Sequence, residues 1–169
     1  MPVCRAPCHL QAEYSVYHTN VRSRPGLQEA LRLYPPAPVG PPRVVPAGGR
    51  VIGGKWVAAG IWASIHHYTT YRYPKNFRDP DVFVPERWLG DPAYEGDQRR
   101  ALQPFSYGPR NCLGQNMAMH EMRVILANVF LNFDFELANS RLEWTDQKVY
   151  ALWEKGPLMC HVKASGKSC

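Results

Sequence analysis

Six prolines fall between Pro35 and Pro46, and they constrain the fold of this chain more than any other feature of its sequence. Proline fixes φ and has no backbone N–H, so a segment this rich in proline is extended and cannot continue a helix. The segment before it, PGLQEALRLY, has apolar side chains at helical spacing and a proline suited to a first helical turn. We therefore predict a short helix over residues 25–34, ended by Pro35, and then a rigid extended connector.

The segments that follow the connector favour short elements. Two apolar runs flank Gly53 and Gly54, a pattern typical of a hairpin with a two-residue turn. Residues 61–65, IWASI, have the composition of a strand, and on a strand the next residues, His66 and His67, would point to opposite faces. Residues 71–92 are rich in proline, aspartate and aromatic residues, which predicts turns and no long regular element.

The strongest periodic pattern predicts a helix of about 18 residues that begins near Gly114. Its apolar stripe comprises Ala118, Met122, Ile125, Leu126, Val129 and Phe133. Residues 133–137 (FDFEL) and 149–154 (VYALWE) are predicted to form short terminal strands. A few helices with several short strands indicate an α+β fold.

Composition limits the classes of function. The 169 residues are 45% hydrophobic, enough for one globular domain. The net charge is +6, but no lysine- and arginine-rich run occurs, and we expect no nucleic-acid partner. The sequence contains neither a run of about 18 apolar residues nor a signal-peptide pattern, which predicts a soluble, cytoplasmic chain.

The functional interpretation depends on Cys112, which follows a glycine-containing loop and precedes the predicted helix start. Free N–H groups and the positive end of a helix dipole favour the thiolate form there. The five cysteines are odd in number and none has C-x-x-C spacing, so a disulfide framework is not expected.

Four roles stay open to Cys112 on these grounds. It could be a buried, inert thiol. A nucleophile would need a histidine base, which the sequence cannot place. A zinc site would need three or four ligands, and no second cysteine lies close in the sequence. Haem iron takes one protein ligand on one side, and a thiolate there favours cleavage of the O–O bond.

Residues 105–114, FSYGPRNCLG, match the pattern F-x-x-G-x-R-x-C-x-G at every defined position. This segment resembles the haem-binding signature of the cytochrome P450 family, the haem-thiolate monooxygenases, and Ala118 fits the extended pattern. The resemblance implies that Cys112 is the axial thiolate ligand of the iron of haem b. It also implies that Phe105 packs close to this ligand and that Gly108 and Gly114 leave room.

Two further segments resemble the family and stand in the expected order. Glu29-Ala-Leu-Arg32 is similar to its E-x-x-R helix, where residues three apart share one side and can pair. Pro85-Glu-Arg87-Trp is similar to the segment whose arginine joins that pair in a buried network. Arg110 and Arg43 are the implied partners of the two haem propionates, since a guanidinium suits a carboxylate.

The resemblance implies the C-terminal part of the mostly helical cytochrome P450 fold, with short β-hairpins and a cysteine-ligand loop that leads into a long helix. Residues 27–169 would form a truncated haem-binding domain, and residues 1–26 an unmatched N-terminal tail. We find neither the membrane anchor nor the oxygen-activating central helix of the family. Full-length relatives are expected at the endoplasmic reticulum membrane.

The implied activity is the insertion of one oxygen atom from O2 into a small apolar organic substrate, with electrons from an NADPH-dependent flavoprotein reductase. Residues 76–92, NFRDPDVFVPERWLGDP, resemble the fungal secondary-metabolism branch. No catalytic residue is assigned in this chain. The alternative hypothesis is a non-catalytic, truncated remnant that binds haem weakly or not at all.

Overall fold

The computed structural model describes residues 24–139 and 144–165. Helix α1 covers residues 24–33, and its last turn is closed by a hydrogen bond from Tyr34 N–H to the Ala30 carbonyl at 2.8 Å. The predicted helix and its end at Pro35 are confirmed, and residues 36–42 contain no regular element. Most of the predicted tail lies outside the described residues, whereas residues 24–26 already belong to α1.

The strands form three antiparallel pairs. Strand β1 (Arg43–Val44) pairs with β4 (Trp62–Ala63), and β2 (Arg50–Ile52) pairs with β3 (Lys55–Val57). Between β2 and β3, Gly53 and Gly54 have φ angles of 56° and 77°, which fit the two-residue turn that the sequence predicts. Strand β5 (Phe133–Leu137) pairs with β6 (Cys160–Ala164).

The strand expected over residues 61–65 is shorter, and the placement of the histidine pair on a strand is wrong. His66 precedes helix α2 (His67–Tyr71), so the two histidines do not lie on a strand. His67 Nδ1–H donates to the Ala37 carbonyl at 2.9 Å, and its buried ring stacks on Tyr71 at 5.4 Å. Burial lowers the pKa of His67, and the charge of His66 acts in the same direction. These tertiary contacts outweigh the strand-like local pattern.

The strand predicted over residues 149–154 is also wrong, because β5 pairs with β6 instead and residues 149–154 contribute only one bridge, between Val149 and Trp153. The reason is the Trp153 side chain, which turns into the core. Its indole N–H donates to the Pro35 carbonyl at 2.7 Å, and its ring stacks on Tyr34 at 4.6 Å and meets the edge of Tyr68 at 5.5 Å.

Helix α3 (Gln115–Asn132) confirms the predicted long helix in its start and its length. Four of the six residues in the predicted stripe are half-buried: Ala118, Met122, Leu126 and Val129. Ile125 is 59% exposed, Phe133 lies in β5, and the buried residue of the helix is Ala127. No helix in residues 24–139 or 144–165 has the length and apolarity needed to cross a membrane.

The core lies where α1, the proline connector, α2 and the irregular stretch 71–92 meet. Short 3-10 turns at Pro85–Trp88, Pro92–Tyr94 and Arg99–Ala101 are the regular elements between α2 and α3. Its buried apolar residues include Leu27, Leu31, Val45, Tyr71 and Phe77. It also contains three fully buried charged residues, Glu29, Arg32 and Arg87, which must therefore be paired.

We predict that Trp153→Phe destabilises the fold and that the matched exchange Trp62→Phe does not. Phenylalanine at 153 leaves the buried Pro35 carbonyl without its donor, which costs about 1–3 kcal/mol in the free energy of unfolding. Trp62 is 72% exposed, and its exchange should change that free energy by less than about 0.5 kcal/mol. Urea unfolding of the two variants measures the difference, and equal losses would contradict the position assigned to Trp153.

Candidate functional site

Glu29 lies at the centre of a buried ion network. Its carboxylate accepts two hydrogen bonds from Arg32, at 2.8 and 3.0 Å, and one from Arg87 Nε at 3.0 Å. The Val84 backbone N–H and the Trp88 indole N–H add bonds at 3.0 and 2.9 Å. The structure thus brings together the three residues that the family resemblance groups. It adds a contact from Trp88, which the sequence analysis named only as part of the motif.

A second acid, Asp97, balances the charge of this network. Its carboxylate pairs with Arg87 Nη1, and both side chains are almost fully buried. Two acids and two arginines leave the cluster with no net charge, which lowers the cost of burying it. Phe77 is fully buried, with the Arg32 and Arg87 guanidiniums 5.4 and 5.8 Å from the centre of its ring. Asp97 lies in no motif, so the sequence offered no signal that could have placed it.

Burial alone would raise the pKa of the Glu29 carboxyl, because a desolvated charge is unfavourable. The hydrogen bonds from Arg32, Val84 and Trp88, together with the positive charge of Arg32, act against burial and hold that pKa below its usual value. Glu29 is therefore ionised at neutral pH.

The same arginines hold the irregular backbone that the proline and aspartate content predicted. Arg32 donates to the carbonyls of Tyr71, Pro80 and Val82 at 3.0, 2.5 and 3.0 Å. Arg87 donates to the Arg78 carbonyl at 3.0 Å. Residues 71–92 are thereby fixed by side-chain donors rather than by long helices or strands, and buried carbonyls find partners there.

Tyr71 connects this network to the segment before Cys112. Its carbonyl accepts from Arg32, and its hydroxyl oxygen accepts from the Gln103 backbone N–H at 2.9 Å. The Gln103 carbonyl then accepts from Ser106 N–H at 2.9 Å, at the start of the loop. Burial raises the pKa of Tyr71, so its hydroxyl stays protonated. The sequence analysis missed Tyr71, whose position only the folded chain reveals.

The loop that carries Cys112 is closed by a hydrogen bond from Cys112 N–H to the Phe105 carbonyl at 2.8 Å. Within it, Asn111 N–H donates to the Gly108 carbonyl at 3.0 Å, and Gly108 has a φ of 81°. Ser106 also has a positive φ, of 65°, which is strained for a residue with a side chain. The loop geometry thus depends on Gly108 and on the bond across its base.

The Cys112 thiol is exposed and forms no disulfide. In the described part of the chain its sulfur makes no hydrogen bond, and no three His, Cys, Asp or Glu side chains gather closely enough to hold a metal ion. The base of a nucleophile and the partner ligands of a zinc site are therefore not found among these residues. A Cβ added at Gly114 would lie 4.0 Å from the Cys112 sulfur, an ordinary van der Waals contact, and glycine leaves that side of the sulfur uncovered.

Arg110 belongs to this loop, and the Arg43 side chain reaches its backbone. Arg43 Nη2 donates weakly to the Arg110 carbonyl at 3.4 Å, and both residues are exposed. Arg43 also lines an open cavity of about 950 Å³, with Ile65 and Tyr107 among its walls. Ala118 is half-buried in the first turn of α3, where its N–H donates to the Gly114 carbonyl at 2.9 Å.

Comparison with known proteins gives consistent similarities. The family model described as Cytochrome P450 matches residues 26–161. Cytochrome P450 monooxygenase lcsI of Purpureocillium lilacinum is 50% identical over 137 residues, which cover 81% of this chain and 27% of the relative. Cytochrome P450 monooxygenase cpaH of Aspergillus oryzae is 50% identical over 134 residues, covering 79% and 26%.

A relative with a more specific name is the trichothecene C-4 hydroxylase of Trichoderma arundinaceum. It is 50% identical over 141 residues, which cover 79% of this chain and 28% of the relative. The chain thus spans about a quarter of the length of the curated relatives that it matches.

We predict that Glu29→Gln lowers the free energy of unfolding by about 3–5 kcal/mol at neutral pH, because Arg32 and Arg87 lose their shared carboxylate. The matched control is Asp81→Asn, which removes the ion pair between Arg72 and the 75% exposed side chain of Asp81 and should cost less than about 1 kcal/mol. Chemical unfolding of both variants measures the two losses, and similar values would contradict the network's role.

The difference in unfolding free energy between wild type and Glu29→Gln should also depend on pH. The folded pKa of Glu29 is below its usual value of 4.5, so this contribution to stability is present above about pH 4.5. It is lost as pH falls through the folded pKa, because the unfolded chain then binds the proton more readily. The difference in unfolding free energy between wild type and Glu29→Gln should shrink on acidification below pH 4.5, while the contribution of His67 is common to both. A difference in unfolding free energy that stays constant down to pH 3 would contradict the lowered pKa of Glu29.

Proposed function

Because the chain belongs to the cytochrome P450 family, we propose that it is the haem-ligating portion of a haem-thiolate monooxygenase, with Cys112 as the axial ligand of haem b. The observation that carries this proposal is the exposed, unpaired thiol on a closed loop whose sequence matches the family signature. In this proposal residues 27–169 are the haem-binding part of the domain, and the loop leads the ligand into α3.

The residues present fit the thiolate side of a haem. The space beside Cys112 Sγ, which a side chain at position 114 would occupy, suits a group that approaches the sulfur. Arg43 and Arg110, which lie close together, would bind the two propionates. Phe105 and Ala118 would pack beside the ligand loop, and Gly108 would keep the turn tight. When bound, the haem supplies the activation of O2, which no side chain here can perform.

The buried network would act as a positioning device for this ligand. Glu29, Arg32 and Arg87 hold residues 71–92 in place. Tyr71 then connects this region to the segment before the loop through its hydrogen bond with Gln103. A thiolate that must stay at one position on an exposed loop benefits from such a rigid support. None of these residues would touch the substrate.

The proposed reaction inserts one oxygen atom of O2 into an apolar organic substrate and releases the other as water. It consumes two electrons and two protons, and the electrons would come from an NADPH-dependent flavoprotein reductase. The relative named trichothecene C-4 hydroxylase supports a secondary-metabolism substrate. Full-length relatives would act at the endoplasmic reticulum membrane.

A second candidate is a chain that binds haem weakly or not at all and has no turnover. The observation that favours it is the exposure of the surface next to the ligand, where Leu113 is fully exposed and Met117 is 67% exposed. An open haem face would release reduced oxygen species and oxidise its own thiolate.

We predict that the reduced, haem-loaded chain gives a thiolate-type Soret band in a carbon-monoxide difference spectrum, because Cys112 is the free and exposed thiol of the signature loop. Cys112→Ala should abolish this band. Cys160→Ala is the matched control, since Cys160 lies in β6 and is also free, and it should leave the band in place.

Absence of haem uptake by the wild-type chain would overturn the proposal and favour the second candidate. A band that survives in Cys112→Ala but is lost in Cys160→Ala would identify Cys160 as the ligand and contradict the proposal. Turnover is tested separately, by oxygen transfer to an apolar substrate in the presence of the reductase and NADPH.

A further inference from the structure

A second cavity, of about 390 Å³, lies between the starts of α1 and α3 and shares one lining residue, Gln103, with the larger cavity beside Arg43. Arg24 and Gln28 of α1 form one wall, and His120 and Arg123 of α3 form another. Phe105, from the loop that carries Cys112, closes it from a third side. Its volume is within the range of about 300–1,000 Å³ that small-molecule sites have.

The charge in this cavity is of one sign. Arg24 and Arg123 are cationic, and no Asp or Glu is among the described residues that line it. Four side-chain amides complete its polar surface: Gln28, Gln103, Gln115 and Asn116. Gln115 and Asn116 also begin α3, whose N-terminal end carries partial positive charge. An anion would meet only favourable or neutral groups there.

Arg123 has a buried hydrogen-bond donor without an acceptor. Its Nε is fully buried and has no hydrogen-bond partner, and within residues 24–139 and 144–165 its guanidinium forms no ion pair. Arg32 and Arg87, in contrast, use their Nε atoms on the Glu29 carboxylate. A buried guanidinium donor without an acceptor is unfavourable, and the same side chain lines the cavity.

We propose that this cavity is a binding site for a small organic anion that presents one phosphate or carboxylate group to Arg123. A guanidinium edge binds such an oxyanion through two parallel N–H donors, and Arg24 and the side-chain amides add contacts to the rest of the ligand. Phe105 and Gln115 lie on either side of Cys112 in the sequence, so a bound anion contacts the segment that carries the thiol. The site does not depend on haem.

The test is a titration of the 169-residue chain with inorganic phosphate, and separately with acetate, at constant ionic strength set by sodium chloride. The Nε–H resonance of Arg123 in a two-dimensional ¹⁵N–¹H spectrum reports binding at the proposed atom. We expect a saturable shift of this resonance with half-saturation in the millimolar range. The arm that saturates at lower concentration identifies phosphate or carboxylate as the preferred group. A linear shift, equal to that produced by chloride alone, overturns the proposal.

Variants separate the site from general charge attraction. In the variants, binding is followed by the backbone amide resonances of Gln115 and Asn116, which line the same cavity. Arg123→Gln should weaken phosphate binding at least tenfold, and Arg123→Lys, which keeps the charge but loses the fork, should retain part of it. Arg99→Gln removes the same charge from an exposed position outside the cavity and should leave binding unchanged. Equal losses in Arg123→Gln and Arg99→Gln would refute the site. Should Arg123→Gln not fold, Arg24→Gln reports on the same cavity from the other wall, and its binding must also weaken.

Discussion

The buried carboxylate of Glu29 between Arg32 and Arg87 is the interaction on which the rest of this structure depends. The chain from residue 71 to residue 92 has little regular structure, so few backbone hydrogen bonds can hold it. Side-chain donors from the two arginines supply that order, and Asp97 and the Phe77 ring make the burial of their charge tolerable. The cluster joins α1 to Tyr71, to the backbone of residues 78–84 and to Asp97, so the loss of one member affects all of these contacts.

Tyr71 connects the buried network to the loop that carries Cys112. One end of this residue meets Arg32 through its carbonyl, and the other meets Gln103 through its hydroxyl. Two more hydrogen bonds, at Ser106 and at Cys112, then fix the loop. Each step is a direct contact, so a structural cluster far along the sequence can set the position of the thiol. In the proposed function this support is what lets an exposed cysteine act as a metal ligand.

Local features of the fold were predictable from the sequence, and features that depend on distant partners were not. The turn at Gly53-Gly54 and the start of α3 follow from nearby residues alone. The pairing of Glu29 with Arg32 follows from their spacing, whereas its burial does not. His67, Trp153 and β6 were misjudged because a contact more than twenty residues away decides each of them. Asp97 and Tyr71 carry no local signal, and only the folded chain reveals their roles at the site.

The central claim, that Cys112 is the iron ligand, is tested most directly by X-ray absorption at the iron edge of the haem-loaded chain. The account predicts one sulfur scatterer in the first coordination shell of the iron in the wild-type chain, and its loss in Cys112→Ala. A first shell that contains only nitrogen and oxygen in the wild-type chain would contradict it, as would a sulfur scatterer that persists in Cys112→Ala.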